Sequence, residues 1–205
     1  KVNAPLDEEG RARADLVDTY KPEALDNELN RLASLPIFRK NPFMLLGAIP
    51  WDFELVAPRV KDLSAYLKAT IINEGDMVHR RLRRITFCAR TVSNILNYFT
   101  PGALLVTPGD RSDILVAACL SAMNGTKLGA ILLTGGFEPE PRIMALCEQA
   151  MQTGLPILAT EGDTWRTSLL LHNFNLEVPS DDEQRIEKVK DHNAAHIDSD
   201  WLDTL

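Results

Sequence analysis

Short apolar runs, separated by polar and turn-forming clusters, recur through most of this chain. Residues 69–73, 84–89, 103–107, 128–134 and 155–160 are too short for helices and rich in Ile, Leu, Val and Thr, so each predicts a strand. Helical patterns lie between them, clearest over 111–123 and 138–152. The second sets Ile143, Leu146, Cys147 and Ala150 at i, i+3, i+4 and i+7, a stripe expected to be buried, with Gly154 as its C-terminal cap. Upstream, residues 1–20 are polar and turn-rich. Residues 22–35 predict a helix with Leu25, Leu29 and Leu32 on one face, closed by Pro36. The apolar run from Phe43 to Pro50 predicts a buried strand. Residues 53–67 predict one helix, with Pro58 tolerated in its first turn. A last helix is expected from Ser180, where Ser180 and Glu183 have capping-box spacing, fading into a linker-like tail at Asp198-Ser199-Asp200. Strands alternating with helices predict a layered α/β domain with a largely parallel sheet.

Four of the predicted strands end alike: Asn73-Glu74-Gly75-Asp76, Thr107-Pro108-Gly109-Asp110, Thr134-Gly135-Gly136 and Thr160-Glu161-Gly162-Asp163. The last three threonines are about 27 and about 26 residues apart, close to one βα unit. In a parallel sheet such loops gather at the carboxyl ends of the strands, where ligands bind. Asn73, Asp76, Asp110, Arg111, Thr134, Gly135, Gly136 and Asp163 are therefore the candidate effector-binding residues. Glycine would admit a bound group close to the backbone, and helix N-termini would offer free N–H donors. The same residues have a structural reading, in which Asp110 and Asp163 are helix N-caps and the glycines are turn residues. Arg111 fits capping least. A cation at a helix start opposes the macrodipole, so it needs either a neighbouring Asp or an anionic ligand.

Bulk chemistry narrows the class. The 205 residues, 45% hydrophobic and 25% charged, suit one full domain plus a smaller piece. A net charge of −7 argues against a nucleic-acid partner, which wants a basic face. No apolar run approaches the roughly 20 residues that span a bilayer, so no membrane partner is expected. The chain opens at Lys1 without an initiator Met or a targeting segment, and a fragment is the expectation. Cys88, Cys119 and Cys147 sit among apolar neighbours without C-x-x-C spacing, which predicts reduced core thiols and a cytoplasmic location. His79-Arg80-Arg81-Leu82-Arg83-Arg84 is either a phosphate or partner contact or a solvated, salt-bridged strand edge. His192 and His196 have i, i+4 spacing but lack the Glu of H-E-x-x-H, so no metal site is expected. Trp51, Trp165 and Trp201 are expected to anchor packing. No phosphate-loop, dinucleotide-fold or nucleophile-elbow motif is present, and no catalytic residue can be named. The residues alone support an α/β binding module and no reaction.

At Pro108-Gly109-Asp110-Arg111-Ser112-Asp113 and Leu132-Leu133-Thr134-Gly135-Gly136 the sequence resembles the DRTGG domain. That domain takes its name from positions matched here by Asp110, Arg111, Thr134, Gly135 and Gly136. The surrounding sequence is similar to the long-form bacterial phosphate acetyltransferases. The segments that carry this match include Ala69-Thr70-Ile71-Ile72-Asn73-Glu74-Gly75-Asp76, Val116-Ala117-Ala118-Cys119-Leu120, Phe174-Asn175-Leu176-Glu177-Val178-Pro179 and Asp200-Trp201-Leu202-Asp203. The resemblance implies three parts. Residues 1–52 would end a dethiobiotin-synthetase-like, P-loop-type α/β domain. Residues 53–178 would form a three-layer α/β/α DRTGG domain, and 179–205 a helix and linker towards a catalytic domain. It also implies a parent enzyme that interconverts acetyl-CoA plus phosphate with acetyl phosphate plus CoA in acetate metabolism. This region would then be regulatory and assembly-forming, inactive alone and without a cofactor of its own. Its implied partners are the C-terminal catalytic domain and further copies of itself. NADH, ATP, pyruvate and phosphoenolpyruvate are the implied candidate effectors. Two other readings stay open: a stand-alone DRTGG sensor of adenine nucleotides, and a piece of an ATP-dependent ligase of the dethiobiotin synthetase type.

Overall fold

The computed structural model describes residues 22–38, 46–50 and 52–197. They divide into two compact units, one of Val56–Glu177 and one that joins the chain up to Leu55 with the chain from Val178 onward.

The larger unit is built on five strands, β1 (Thr70–Asn73), β2 (Arg84–Phe87), β3 (Ala103–Pro108), β4 (Ala130–Thr134) and β5 (Ile157–Ala159). Their order across the sheet is β1-β5-β4-β3-β2. β2 to β5 run parallel, each beside its neighbour in sequence, while β1 pairs with β5 antiparallel. Each step from β2 to β5 moves the same way across the sheet. The right-handed crossover rule then puts every connecting helix on one face. That face carries α4 (Val92–Ile95) and the 3₁₀ turn behind it, α5 (Ser112–Met123) and α6 (Pro141–Met151). Ile114, Leu115, Ala118 and Cys119 of α5 and Cys147 and Ala150 of α6 pack there with Leu105, Ile131, Leu133 and Ile157. The other face must be covered by the chain's entry and exit. There α3 (Val60–Leu67) brings Val60, Leu63 and Leu67, and α7 (Thr164–His172) brings Leu171, onto Leu104, Val106, Leu132 and Leu158. The central strands are buried on both faces, which explains their unbroken apolar runs. The result is a three-layer α/β/α domain with a mostly parallel sheet.

Several sequence expectations are corrected. Residues 53–67 form a one-turn helix, α2 (Phe53–Val56), and then α3, because the main chain at Pro58 and Arg59 turns to pair with another segment. Leu82 N–H donates to the Pro58 carbonyl, and Arg59 bridges Arg81. Leu146 is 65% exposed, so the buried side of α6 is narrower than the stripe suggested. Trp165 is 71% exposed on α7 and anchors no packing.

In the smaller unit, α1 (Pro22–Ala33) matches the predicted amphipathic stretch. The last helix is α8 (Glu183–Ala194), capped by Asp182, whose carboxylate accepts from Arg185 N–H; Ser180 does not cap it. Leu46 to Pro50 form no strand; Gly47 makes an isolated bridge with Ile197, and Ile49 is exposed. Phe43, Met44 and Leu45, Trp51, Trp201, residues 1–20 and the tail at Asp198 lie outside the described residues.

Candidate functional site

The parallel run of β3, β4 and β5 brings three of the four similar loops together at the carboxyl ends of these strands. Their main chains are laced to one another. Gly109 N–H donates to the Thr134 carbonyl (2.9 Å), Gly135 N–H to Gly162 (2.8 Å) and Gly136 N–H to Thr160 (3.1 Å). Gly135 and Gly136 stand at φ +90° and +68°, two successive left-handed residues that only glycine adopts without strain. A Cβ on Gly136 would lie 2.7 Å from Glu161 Oε2. Both glycine amides are therefore spent on the neighbouring loop and are not offered to an anion.

The side chains of the rim are engaged as well. The buried Thr134 hydroxyl shares a hydrogen bond with the Thr164 hydroxyl at 2.8 Å. Asp163 caps α7, accepting from Arg166 N–H at 2.7 Å. Asp110 does not cap α5. The N-cap residue is Arg111, and only the Asp110 carbonyl takes part, accepting from Ser112 N–H. Arg111 finds its partner in Asp113, to which Nε and Nη2 donate as a fork, both at 2.8 Å. Nη1 and Nη2 also reach the carbonyls of Cys88 (3.4 Å) and Arg90 (3.2 Å), tying α5 to the end of β2. The fork raises the Arg111 pKa and holds the Asp113 carboxyl below its ordinary value. Asp113 lies in the first turn of α5, so a carboxylate already faces the positive end of that helix. Beneath this clasp, burial pushes the Cys88 thiol up to about 11, only partly offset by Arg111.

Asn73 and Asp76 are not part of this rim. Because β1 is antiparallel, its carboxyl end falls beside the amino end of β5, at the opposite end of the sheet. There Asn73 Nδ2 donates to the Leu155 carbonyl (2.6 Å), Asp76 N–H donates to Gly154, and the Asp76 carboxylate meets His79 Nδ1 at 2.6 Å. Arg80 is half-buried, while Arg83 and Arg84 beside it are exposed. The Arg80 guanidinium donates to the carbonyls of Leu128 and Thr153, and burial lowers its pKa against the pull of Asp76. In the smaller unit, His192 Nε2 meets the Pro50 carbonyl and His196 Nδ1 the His192 carbonyl. Among the described residues no group of His, Cys, Asp and Glu could hold a metal ion, and no helix is long and apolar enough to cross a membrane.

A pocket of about 230 Å³ opens beside the Gly136 turn. Thr70 and Ile72 of β1 form one wall, and Ala159, Thr160 and Glu161 at the end of β5 form the next. Gly136, Phe137, Glu138 and Pro139 of the loop after β4, with Met144 of α6, close it. Of the sequence candidates only Gly136 lines it. Thr70 and Ile72 escape the sequence because the wall on β1 exists only through an antiparallel pairing, which no periodicity reports.

The loops that lace this rim carry a recognisable signature. The family model of the DRTGG domain matches residues 62–174, more than half of the chain. The chain belongs to the DRTGG domain family. In this DRTGG domain Arg111 ties the start of α5 to the end of β2, and Thr134, Gly135 and Gly136 bind the neighbouring loops to each other. Over all 205 residues the chain is 49% identical to the phosphate acetyltransferase of Escherichia coli (strain K12). It is 44% identical to that of Haemophilus influenzae over 206 aligned positions, and it spans 29% of the length of each enzyme. Identity to the Pseudomonas aeruginosa phosphate acetyltransferase is 47% over 167 residues, which cover 82% of the chain and 24% of that enzyme. The chain thus corresponds to the DRTGG-containing region of those proteins. A solved structure of the CBS and DRTGG domains of the regulatory region of Clostridium perfringens pyrophosphatase, complexed with its activator diadenosine tetraphosphate, is 19% identical. It superposes with a TM-score of 0.47, covering 59% of this chain and 50% of that one.

Proposed function

We propose that this chain is the regulatory and assembly region of a cytoplasmic phosphate acetyltransferase. In the complete enzyme it adjoins a catalytic domain that interconverts acetyl-CoA plus phosphate with acetyl phosphate plus CoA. The observation that carries this reading is the 49% identity over an alignment that covers all 205 residues. The three cysteines are buried, and no described histidine hydrogen-bonds a hydroxyl or thiol as a nucleophile–base pair would. On this reading the effector side of the rim is the Gly136 pocket, with Thr160 and Glu161. Thr134 and Gly135 hold the loops that frame it, Asp163 caps α7, Asp110 and Arg111 stay at the start of α5 outside the pocket lining, and Asn73 and Asp76 support the far end of β5. Assembly is supported by α5, which is apolar on nearly every side. Val116, Leu120 and Met123 lie at i, i+4 and i+7 outside the buried stripe, and Leu120 and Met123 are exposed.

The test is functional. CoA release from acetyl-CoA and phosphate is measured for this chain alone, for the complete enzyme, and for the enzyme without this region. The chain alone is expected to show no turnover, and the shortened enzyme to keep turnover while losing its response to NADH, ATP, pyruvate or phosphoenolpyruvate. Turnover by the chain alone, or an unchanged effector response without it, would refute the reading.

A further inference from the structure

The pocket beside Gly136 has a chemistry that restricts what can enter. It carries two carboxylates, Glu138 and Glu161, and none of its lining residues is basic. A phosphate or carboxylate group inside it would face like charge without a compensating cation. Ionised carboxylates only accept hydrogen bonds, so the group that enters must bring donors. The rest of the surface is apolar, with Phe137, Met144 and Ile72 offering contact to a flat ring. The volume falls below the roughly 300 Å³ at which drug-sized pockets begin, so it suits one ring system and its sugar, not a whole dinucleotide.

We propose that this pocket binds a nucleoside, with the base against Phe137 and Met144 and the ribose hydroxyls donating to Glu161 and Glu138. A carboxylate that accepts from ribose hydroxyls is the device by which dinucleotide folds read that sugar. Any phosphate on the ligand stays outside the pocket, in solvent. The assignment rests on the regulatory reading above for its biological meaning, but its chemistry stands on the pocket alone.

Isothermal titration of the 205-residue chain with adenosine, ATP, inorganic phosphate and spermidine tests it. Adenosine is expected to bind, ATP no more tightly, and phosphate not at all. Glu161→Gln and Glu138→Gln should each weaken adenosine about tenfold, the loss typical of a hydrogen bond to a charged acceptor. Arg111→Ala, outside the pocket, should leave adenosine affinity unchanged. Melting midpoints identify any variant that fails to fold; Thr70→Val, which alters the opposite wall without touching charge, then replaces it and is expected to alter adenosine affinity. Three outcomes overturn the proposal: no adenosine binding at millimolar concentration, binding indifferent to all wall substitutions, or spermidine bound in place of adenosine. An effector response of the complete enzyme that persists without adenosine binding sinks the pocket assignment and spares the regulatory reading. Adenosine binding with no influence on turnover does the reverse.

Discussion

Arg111 shows how a signature residue can be spoken for by its own chain. Its fork to Asp113 is part-exposed, with side chains 30% and 49% accessible, so it is a modest contributor to stability with a clear pH signature. The Asp113 pKa is depressed in the folded protein. Its stabilisation is therefore fully present above the ordinary value of 3.8 and fades as pH falls through the lower folded value. Melting temperatures of the wild type and Asp113→Asn should differ by a constant amount near neutrality and converge below about pH 4. Arg111→Ala should lower the melting temperature and leave the effector midpoint of the complete enzyme in place. A shifted midpoint at unchanged stability would return Arg111 to the ligand. Thr107 presents the opposite case. Its hydroxyl is fully buried and has no hydrogen-bond partner, whereas the equally buried Thr134 hydroxyl has Thr164. Replacing Thr107 by Val removes an unpaired polar group at nearly constant shape and should stabilise the fold by about 1 kcal/mol in urea unfolding. Thr134→Val should destabilise it; equal losses at both positions would contradict the distinction.

At the scale of elements, two helices begin with the same device in different surroundings. α5 starts at Arg111 clasped to Asp113, and α3 starts at Arg59 clasped to Asp62, with Nε–Oδ2 2.9 Å and Nη2–Oδ1 2.8 Å. The second pair is 5% and 16% accessible, and burial changes the magnitude. Breaking a buried pair strands a charge and costs about 3–5 kcal/mol, against about 1 kcal/mol or less for an exposed one. Asp62→Ala should therefore lower the urea midpoint several times further than Asp113→Ala; comparable shifts would mean that burial does not govern the pair. The sequence revealed the helix after Arg111 but not this contrast, since a one-dimensional pattern carries no measure of burial for a charged residue. The strands were legible because both faces of β3 and β4 are covered, leaving uninterrupted apolar runs. The break at Pro58 was not, because it follows from pairing with Leu82 across the fold. Loop chemistry was legible at Thr134-Gly135-Gly136, where two positive φ angles demand glycine. It misled at Asn73-Glu74-Gly75-Asp76, whose similar residues end a strand of opposite direction.

For the whole molecule, the outward side of α5 is the feature that ordinary solubility does not explain. A helix apolar on nearly every side is expected to be covered there, and a second copy of this chain is the occupant that the assembly reading implies. Light scattering over a concentration series should show self-association, and Leu120→Glu should abolish it while leaving the melting temperature nearly unchanged. A wild-type monomer at high micromolar concentration would remove α5 from the assembly. The reversed direction of β1 has a consequence of another kind, in the order of synthesis. A ribosome releases β1 before the other strands of this sheet, yet its neighbour in the sheet, β5, is the last of them to emerge. The four parallel strands can add one after another as they appear, while the first waits with Ile72 bare. Until Ala159 has been made and Thr70 settles against it, the wall beside Gly136 does not exist. The nascent domain thus completes its sheet at the edge where it began, and a ligand can meet the pocket only after that closing step.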